Sequence, residues 1–167
     1  MSSSNDSTVH EIDLPLAQNS AFKLFAERLA DWWPAEYTWS RSALNTIGIE
    51  PWQGGRCTEV GPHGFQVDWG RVLAWEPPER LIISWQIGPN RVPQPDPAHA
   101  STVKLGFHEN GPRAARLILE HHDFRNHGDG AEEYRDAMAS EYGWPYILAC
   151  FRKFSSRQAI PDKHRPT

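Results

Sequence analysis

The last third of the chain constrains the fold most. A hairpin strand ending in His121-His122-Asp123-Phe124 runs into a long aromatic helix expected over Tyr134 to Phe154. Trp144, Ile147, Leu148 and Phe151 keep helical spacing, and Tyr134, Met138 and Glu141 extend nearly the same face toward the N-terminus. At roughly 1.5 Å per residue such a stripe is long enough to span a sheet. A helix that apolar on one side needs a sheet to lie on, and everything upstream reads as that sheet. Gly143 and Pro145 interrupt the stripe. Proline lacks an amide donor and its ring clashes with the carbonyl four residues earlier, so a kink or restart is expected near Gly143.

Upstream, a strand is expected from Thr8 to Leu14, stopped by Pro15. After the candidate caps Asn19 and Ser20, the residues Phe22, Phe25, Ala26, Leu29 and Trp33 fall at offsets of 0, 3, 4, 7 and 11, one face of an amphipathic helix that Pro34 ends. Leu44, Ile47 and Ile49 allow a strand before the Gly54-Gly55 turn. Strands follow near Arg56 to Val60, Phe65 to Trp75 and Arg80 to Ile87, punctuated by Gly61-Pro62 and Pro77-Pro78. Leu81, Ile83, Trp85 and Ile87 alternate with Ile82, Ser84 and Gln86, so the first set should point inward. The segment Gly88 to Ala100 holds prolines at 89, 93, 95 and 97, which deny a ladder its donors; it reads as a loop, either a lid or a plain surface segment. Ser101 to Glu109 and Arg113 to Asp123 make a last hairpin through Asn110-Gly111, with Val103, Leu105 and Phe107 on one face and Leu117, Leu119 and His121 on another.

Strand, helix, a run of antiparallel strands and a closing helix describe an α+β domain with helices on one face of the sheet. With 167 residues, one such core buries roughly two thirds of the unfolded surface. Residues 1–7 read as a disordered tail, 8–155 as a single domain and 156–167 as a flexible tail. The 17 basic and 21 acidic residues are interspersed, which disfavours a nucleic-acid groove, since phosphate binding needs a clustered basic face. No stretch approaches the roughly 18 apolar residues of a membrane span, and no leader pattern opens the chain, so a soluble cytoplasmic protein is expected. Cys57 and Cys150 are far apart and suit two free buried thiols better than a zinc site or disulfide. His121 and His122 point to opposite faces of a strand and cannot share an ion without a bulge, so no metal is expected. Nucleophile-elbow, phosphate-loop and dinucleotide motifs are missing, and no cofactor is expected.

Four segments in order, Gly54 to Arg56, Trp69 to Trp85 (WGRVLAWEPPERLIISW), His121 to Gly128 (HHDFRNHG) and Gly143-Trp144, resemble the START-like (SRPBCC) superfamily. Within it they are similar to the bacterial branch related to the C-terminal domain of the activator of the heat-shock-protein-90 ATPase. The resemblance covers about Val9 to Phe154. It implies a helix-grip fold, a curved antiparallel sheet wrapped around a long C-terminal helix, commonly with an apolar cavity between them. Relatives bind lipids, sterols, hormones or polyketides there, and some are cyclases or hydrolases, so fold alone assigns no chemistry.

The inward faces supply the candidate ligand-binding residues: Ile83 and Trp85, Leu105 and Phe107, Leu119 and His121, and Tyr134 and Met138 from the helix. Trp33 and Trp39 stand at one rim of the pocket or fill the core. His121 matches the family's strand-end histidine; it is either a ligand partner and acid or base, or a structural residue bonding a backbone carbonyl. The leading expectation is binding of an apolar or aromatic small molecule. The alternatives are a cyclase or dehydratase using His121, with Tyr134 or Asp123 assisting, and a chaperone-associated module acting through its outer surface. The last takes its label from a two-domain eukaryotic protein, and with no N-terminal partner domain visible here a chaperone partner is a doubtful inheritance. An exposed strand edge or aromatic patch would permit a homodimer.

Overall fold

A computed structural model describes residues 6–159. The outer parts of both expected tails, residues 1–5 and 160–167, lie outside the described residues. Seven described strands form one antiparallel sheet: β1 (Ser7–Leu14), β2 (Thr46–Ile49), β3 (Arg56–Val60), β4 (Gln66–Glu76), β5 (Arg80–Trp85), β6 (Ser101–Glu109) and β7 (Ala115–His122). Their order is β1-β7-β6-β5-β4-β3-β2, a meander from β2 to β7 with β1 returning alongside β7. Helices α1 (Gln18–Glu27), α2 (Leu29–Trp32), α3 (Ala131–Ala139) and α4 (Trp144–Gln158) complete the fold, the helix-grip α+β arrangement.

The inward faces are those that the alternation predicts. Leu81, Ile83 and Trp85 on β5, Val103, Leu105 and Phe107 on β6, and Leu117, Leu119 and His121 on β7 are all buried. Over them lie α1 and α4. Phe107 packs edge-on against Phe22 and Phe25 at centroid distances of 5.3 and 5.9 Å, and Phe151 of α4 meets Phe25 at 5.1 Å and Trp32 at 4.8 Å. Aromatic pairs in this geometry add about 0.5–1.5 kcal/mol each beyond their area. They hold the two helices to one sheet.

Several local expectations are corrected. Asn19 and Ser20 lie inside α1, whose N-cap position is Ala17, and the expected single helix breaks at Arg28 into α1 and α2. Trp33 falls outside α2 with φ −64° and ψ 133°, because a residue before proline is pushed into extended backbone. The interruption expected at Gly143 is a full break between α3 and α4. A Cβ on Gly143 would sit 2.2 Å from the Met138 carbonyl oxygen, so the tight turn onto the end of α3 needs a glycine. Pro145 then falls in the first turn of α4, where its missing N–H costs nothing. Glu141 lies in that break and is exposed rather than part of the buried stripe. α4 runs on to Gln158 with Ser155 wholly buried, and β1 starts at Ser7, so order extends into both segments expected as tails. The β6–β7 connection is a five-residue loop, Asn110 to Ala114, closed by the Asn110 N–H donating to the Ala114 carbonyl at 2.9 Å, because β7 begins at Ala115 rather than Arg113. β5 stops at Trp85, and Ile87 forms an isolated bridge with Pro93.

A bulge interrupts the pairing of β3 with β4. Cys57 pairs with Gly70 and Thr58 with Asp68, leaving Trp69 as an extra residue in β4. This bulge turns two consecutive residues, Trp69 and Gly70, to the buried side. The backbone there is so close to β5 that a Cβ on Gly70 would lie 2.3 Å from the Ser84 carbonyl oxygen and 3.3 Å from Cys57 Sγ. Gly70→Ala is therefore expected to cost about 1–3 kcal/mol, the range for overpacking, read as a lowered urea midpoint at unchanged m-value.

Candidate functional site

A cavity of about 490 Å³ opens between the β2–β5 end of the sheet and the α3–α4 break. Four tryptophans, Trp33, Trp39, Trp69 and Trp85, stand in its wall. Trp33 and Trp69 stack with centroids 6.1 Å apart and planes 25° apart, while Trp85 meets Trp69 nearly edge-on at 5.8 Å and Trp33 at 6.4 Å. Trp33 reaches this place because Pro34 releases it from α2, and Trp69 because of the bulge. Met138 and Ile147 close the helical side.

The polar groups around these rings are mostly committed. Trp85 Nε1 donates to the Tyr134 hydroxyl at 2.7 Å, which donates in turn to the Ile87 carbonyl at 2.6 Å. Burial raises the Tyr134 phenol well above its ordinary value, so it remains a neutral donor. Trp39 Nε1 donates to the Arg91 carbonyl at 2.8 Å, tying the turn after β5 to the mouth, and the Arg91 guanidinium lies 5.5 Å above the Tyr37 ring. Tyr37 donates from its hydroxyl to the Tyr142 carbonyl at 2.7 Å. Glu59, only 1% exposed, lines the cavity from β3. Its carboxylate accepts from the Trp39 N–H at 3.1 Å and from both the N–H and the hydroxyl of Ser40 at 2.7 Å, which pins the segment carrying Trp39. Among the described residues, Trp69 Nε1 is buried with no hydrogen-bond partner.

Of the predicted site residues, Trp33, Trp39, Trp85, Tyr134 and Met138 meet around this cavity. Ile83, Leu105, Phe107, Leu119 and His121 do not line it; they lie deeper, beneath the helices, as packed core. Glu59, Trp69, Tyr37 and Arg91 line it and escaped the sequence reading. The signal for Glu59 was its alternation with Cys57 on β3, both turned inward. For Trp69 it was the adjoining glycine, a common mark of a bulge within a strand.

His121 sits behind the Trp85 wall, 5.5 Å from that ring, and is wholly buried. An indole N–H can only donate, so the 3.0 Å contact from Trp144 Nε1 makes His121 Nδ1 an acceptor. The proton of the neutral ring is then on Nε2, which donates to Ser101 Oγ at 2.7 Å, and the Ser101 hydroxyl donates onward to His127 Nε2 at 2.8 Å. Both ring nitrogens of His121 are thereby occupied, by a tryptophan and a serine rather than by the backbone carbonyl of the structural alternative. It has no path to a molecule in the cavity.

A model of the family described as Activator of Hsp90 ATPase homolog 1-like protein matches residues 21–154. The chain belongs to this family. Among solved structures, this Activator of Hsp90 ATPase homolog 1-like chain is similar to an anthrahydroquino-γ-pyrone synthase, Txn09, solved as a complex. The two are 30% identical over 89% of this chain and 97% of that one, with a TM-score of 0.64. It also shares its fold with CalC from Micromonospora echinospora, a self-sacrificing resistance protein (22% identity, 92% and 96% coverage, TM-score 0.64). A protein from Nitrosomonas europaea is a further fold relative (16% identity, 95% and 99% coverage, TM-score 0.66). No curated protein matches the sequence. Among the described residues no helix is long and apolar enough to cross a membrane.

Burial, with the neighbouring His127, His122 and His10 adding to it, holds the His121 imidazole well below its ordinary pKa. A histidine kept neutral in the fold contributes stability that is complete above its unfolded pKa of about 6.5 and is lost as the pH falls below it. His121→Leu, which leaves the Trp144 N–H without an acceptor, is expected to cost about 1–3 kcal/mol at pH 7.5. Because leucine cannot take up a proton, the gap between variant and native protein should narrow from pH 6.5 to 5. Urea unfolding across that range measures both.

Proposed function

We propose that this chain binds a flat, apolar or aromatic small molecule in the cavity between the sheet and the C-terminal helices. The observation that carries the reading is the wall itself: three mutually packed indoles, Trp33, Trp69 and Trp85, facing an open volume of about 490 Å³. Apolar concavities with a few placed polar groups are the usual form of small-molecule sites. Indole faces favour flat rings over flexible chains, because stacked and edge-on aromatic contacts add to simple burial. The 30%-identical relative, named as a synthase of a fused aromatic compound and solved as a complex, supports the same class of ligand.

Chemical conversion of the bound molecule is a second reading, favoured by one observation. A reaction that moves protons needs a titratable group at the cavity, and Glu59 is a carboxylate in its wall. His121, enclosed behind Trp85, does not serve that role.

A thermal-shift panel of fused-ring aromatics tests the binding reading. At a hundredfold excess over its dissociation constant, a ligand should raise the unfolding midpoint by about 5 to 10 °C. Met138→Trp, which places a larger side chain in the cavity wall, should abolish that shift. An unmoved midpoint across the panel, or an equal shift in the variant, would sink the reading.

A further inference from the structure

His127 ends the short helical turn Phe124–His127 that leads from β7 into α3. Its Nε2 accepts from the Ser101 hydroxyl at 2.8 Å, while its Nδ1 is buried with no partner among the described residues. The acceptor role is imposed from behind. Trp144 can only donate to His121 Nδ1, so His121 Nε2 must donate to Ser101, and the single Ser101 proton is left for His127. The neutral His127 ring therefore carries its own proton on Nδ1, where the fold offers nothing to receive it.

This arrangement has no place for a second proton on His127. It would sit on Nε2 and meet the Ser101 proton head-on, and Ser101 is wholly buried with the two imidazoles as its side-chain partners. Turning the hydroxyl away leaves its proton without an acceptor in the core, which a low-dielectric interior penalises. Nor do the surroundings offset the charge. The neighbouring histidines, His10 of β1 and His121 and His122 of β7, add none of opposite sign. Asp123 pairs with His122 at 3.0 Å, Asp6 with Arg125 at 2.9 Å and Asp96, beside the Pro97–His99 turn, with His99 at 3.6 Å. On the α3 side, Asp129, Glu132 and Glu133 are exposed to solvent and Asp136 pairs with Arg135 at 3.1 Å. Burial accordingly holds the His127 pKa below its ordinary value.

What His127 helps to hold is a wall of the cavity. α3 supplies Tyr134 and Met138 to that wall, yet none of its nine residues is fully buried. Ahead of it stand Gly128 and Gly130 with φ of 79° and 84°, a conformation that glycine adopts at no steric cost, and behind it the Gly143 turn. The Tyr134 ring rests edge-on against the His127 ring at 5.0 Å and against Phe124 at 5.7 Å. We propose that α3 is a pH-sensitive flap of the cavity, clasped to the start of β6 by neutral His127 through Ser101 and released when His127 takes up a proton. Its bearing on a bound molecule rests on the small-molecule reading above; the clasp itself does not.

The sign follows from linkage. A histidine held neutral keeps the flap shut fully above the pKa of a freely solvated ring, about 6.5, and the hold is lost as the pH falls below it. Hydrogen exchange at pH 7.5 and 5.5, expressed as protection factors so that the chemistry of exchange cancels, tests this without a ligand. In the native protein, amides of residues 131–139 should lose protection about fivefold to tenfold, the effect of one proton over that interval. His127→Gln, whose amide oxygen can still accept from Ser101 and takes no proton, should hold their protection within about twofold. Unchanged protection in the native protein, or an equal loss in the variant, would overturn the proposal. Should His127→Gln not fold, nitrogen NMR of the native protein at pH 7.5 decides. His127 should be the Nδ1–H tautomer with Nε2 unprotonated, and the Nε2–H tautomer would overturn the clasp. Whether the cavity binds a small molecule is decided separately, by the thermal-shift panel.

Discussion

An antiparallel sheet with one apolar face has to cover that face, and how the cover is divided governs everything else in this molecule. Over β6 and β7 the cover is complete. Phe22 and Phe25 of α1, Trp144 and Phe151 of α4, and the strand residues Leu105, Phe107 and Leu119 leave no room for anything but each other. Toward β3, β4 and β5 the cover changes character. α2 ends at Trp32, just ahead of Pro34, α3 is separated from α4 by the Gly143 turn, and the short elements left over cannot fill the space. The cavity is what remains where the helices stop short of the sheet.

Hydrogen-bond direction organises the boundary between these regions. Behind Trp85, one donor-only indole, Trp144, sets the tautomer of His121, and the sequence Trp144 to His121 to Ser101 to His127 then has a single polarity. The relay ends at His127, whose Nδ1 is buried without a partner among the described residues. In front of Trp85 the same accounting settles Trp85, Tyr134 and Ile87 and leaves Trp69 open. Polar groups inside a low-dielectric core are costly unless paired, so these networks specify one arrangement of rings where purely apolar packing would tolerate several.

Much of this was legible in the chain. The inward faces of β5, β6 and β7 follow from alternation alone, because a strand's side chains repeat every two residues and each of these carries one apolar set. An interruption near Gly143 was legible because proline suits a helix's first turn, where Pro145 stands in α4, and not its interior. The candidate site was read only in part: Trp33, Trp39, Trp85, Tyr134 and Met138 face the cavity, while five others from the same inward faces do not. Alternation tells which way a side chain points and nothing about whether a helix already occupies the space it points into. His121 is the sharpest case. Its strand position is as expected, yet its surroundings make it a structural histidine rather than a group at the cavity.

By itself, then, the sequence determined the order of elements, the antiparallel sheet and the identity of its buried face, because these depend on spacing and on local backbone chemistry. Family membership also comes from sequence, through a match over residues 21–154. Only the tertiary structure decided where the cover is incomplete, that Glu59 and Trp69 stand at that gap, and that the Trp69 N–H is left without an acceptor. The reason is physical. A bulge, a void and an unpaired donor are properties of how distant segments meet, here β4 with β3 and β5, and α3 with the end of α2, and no local pattern in any one of them encodes the meeting.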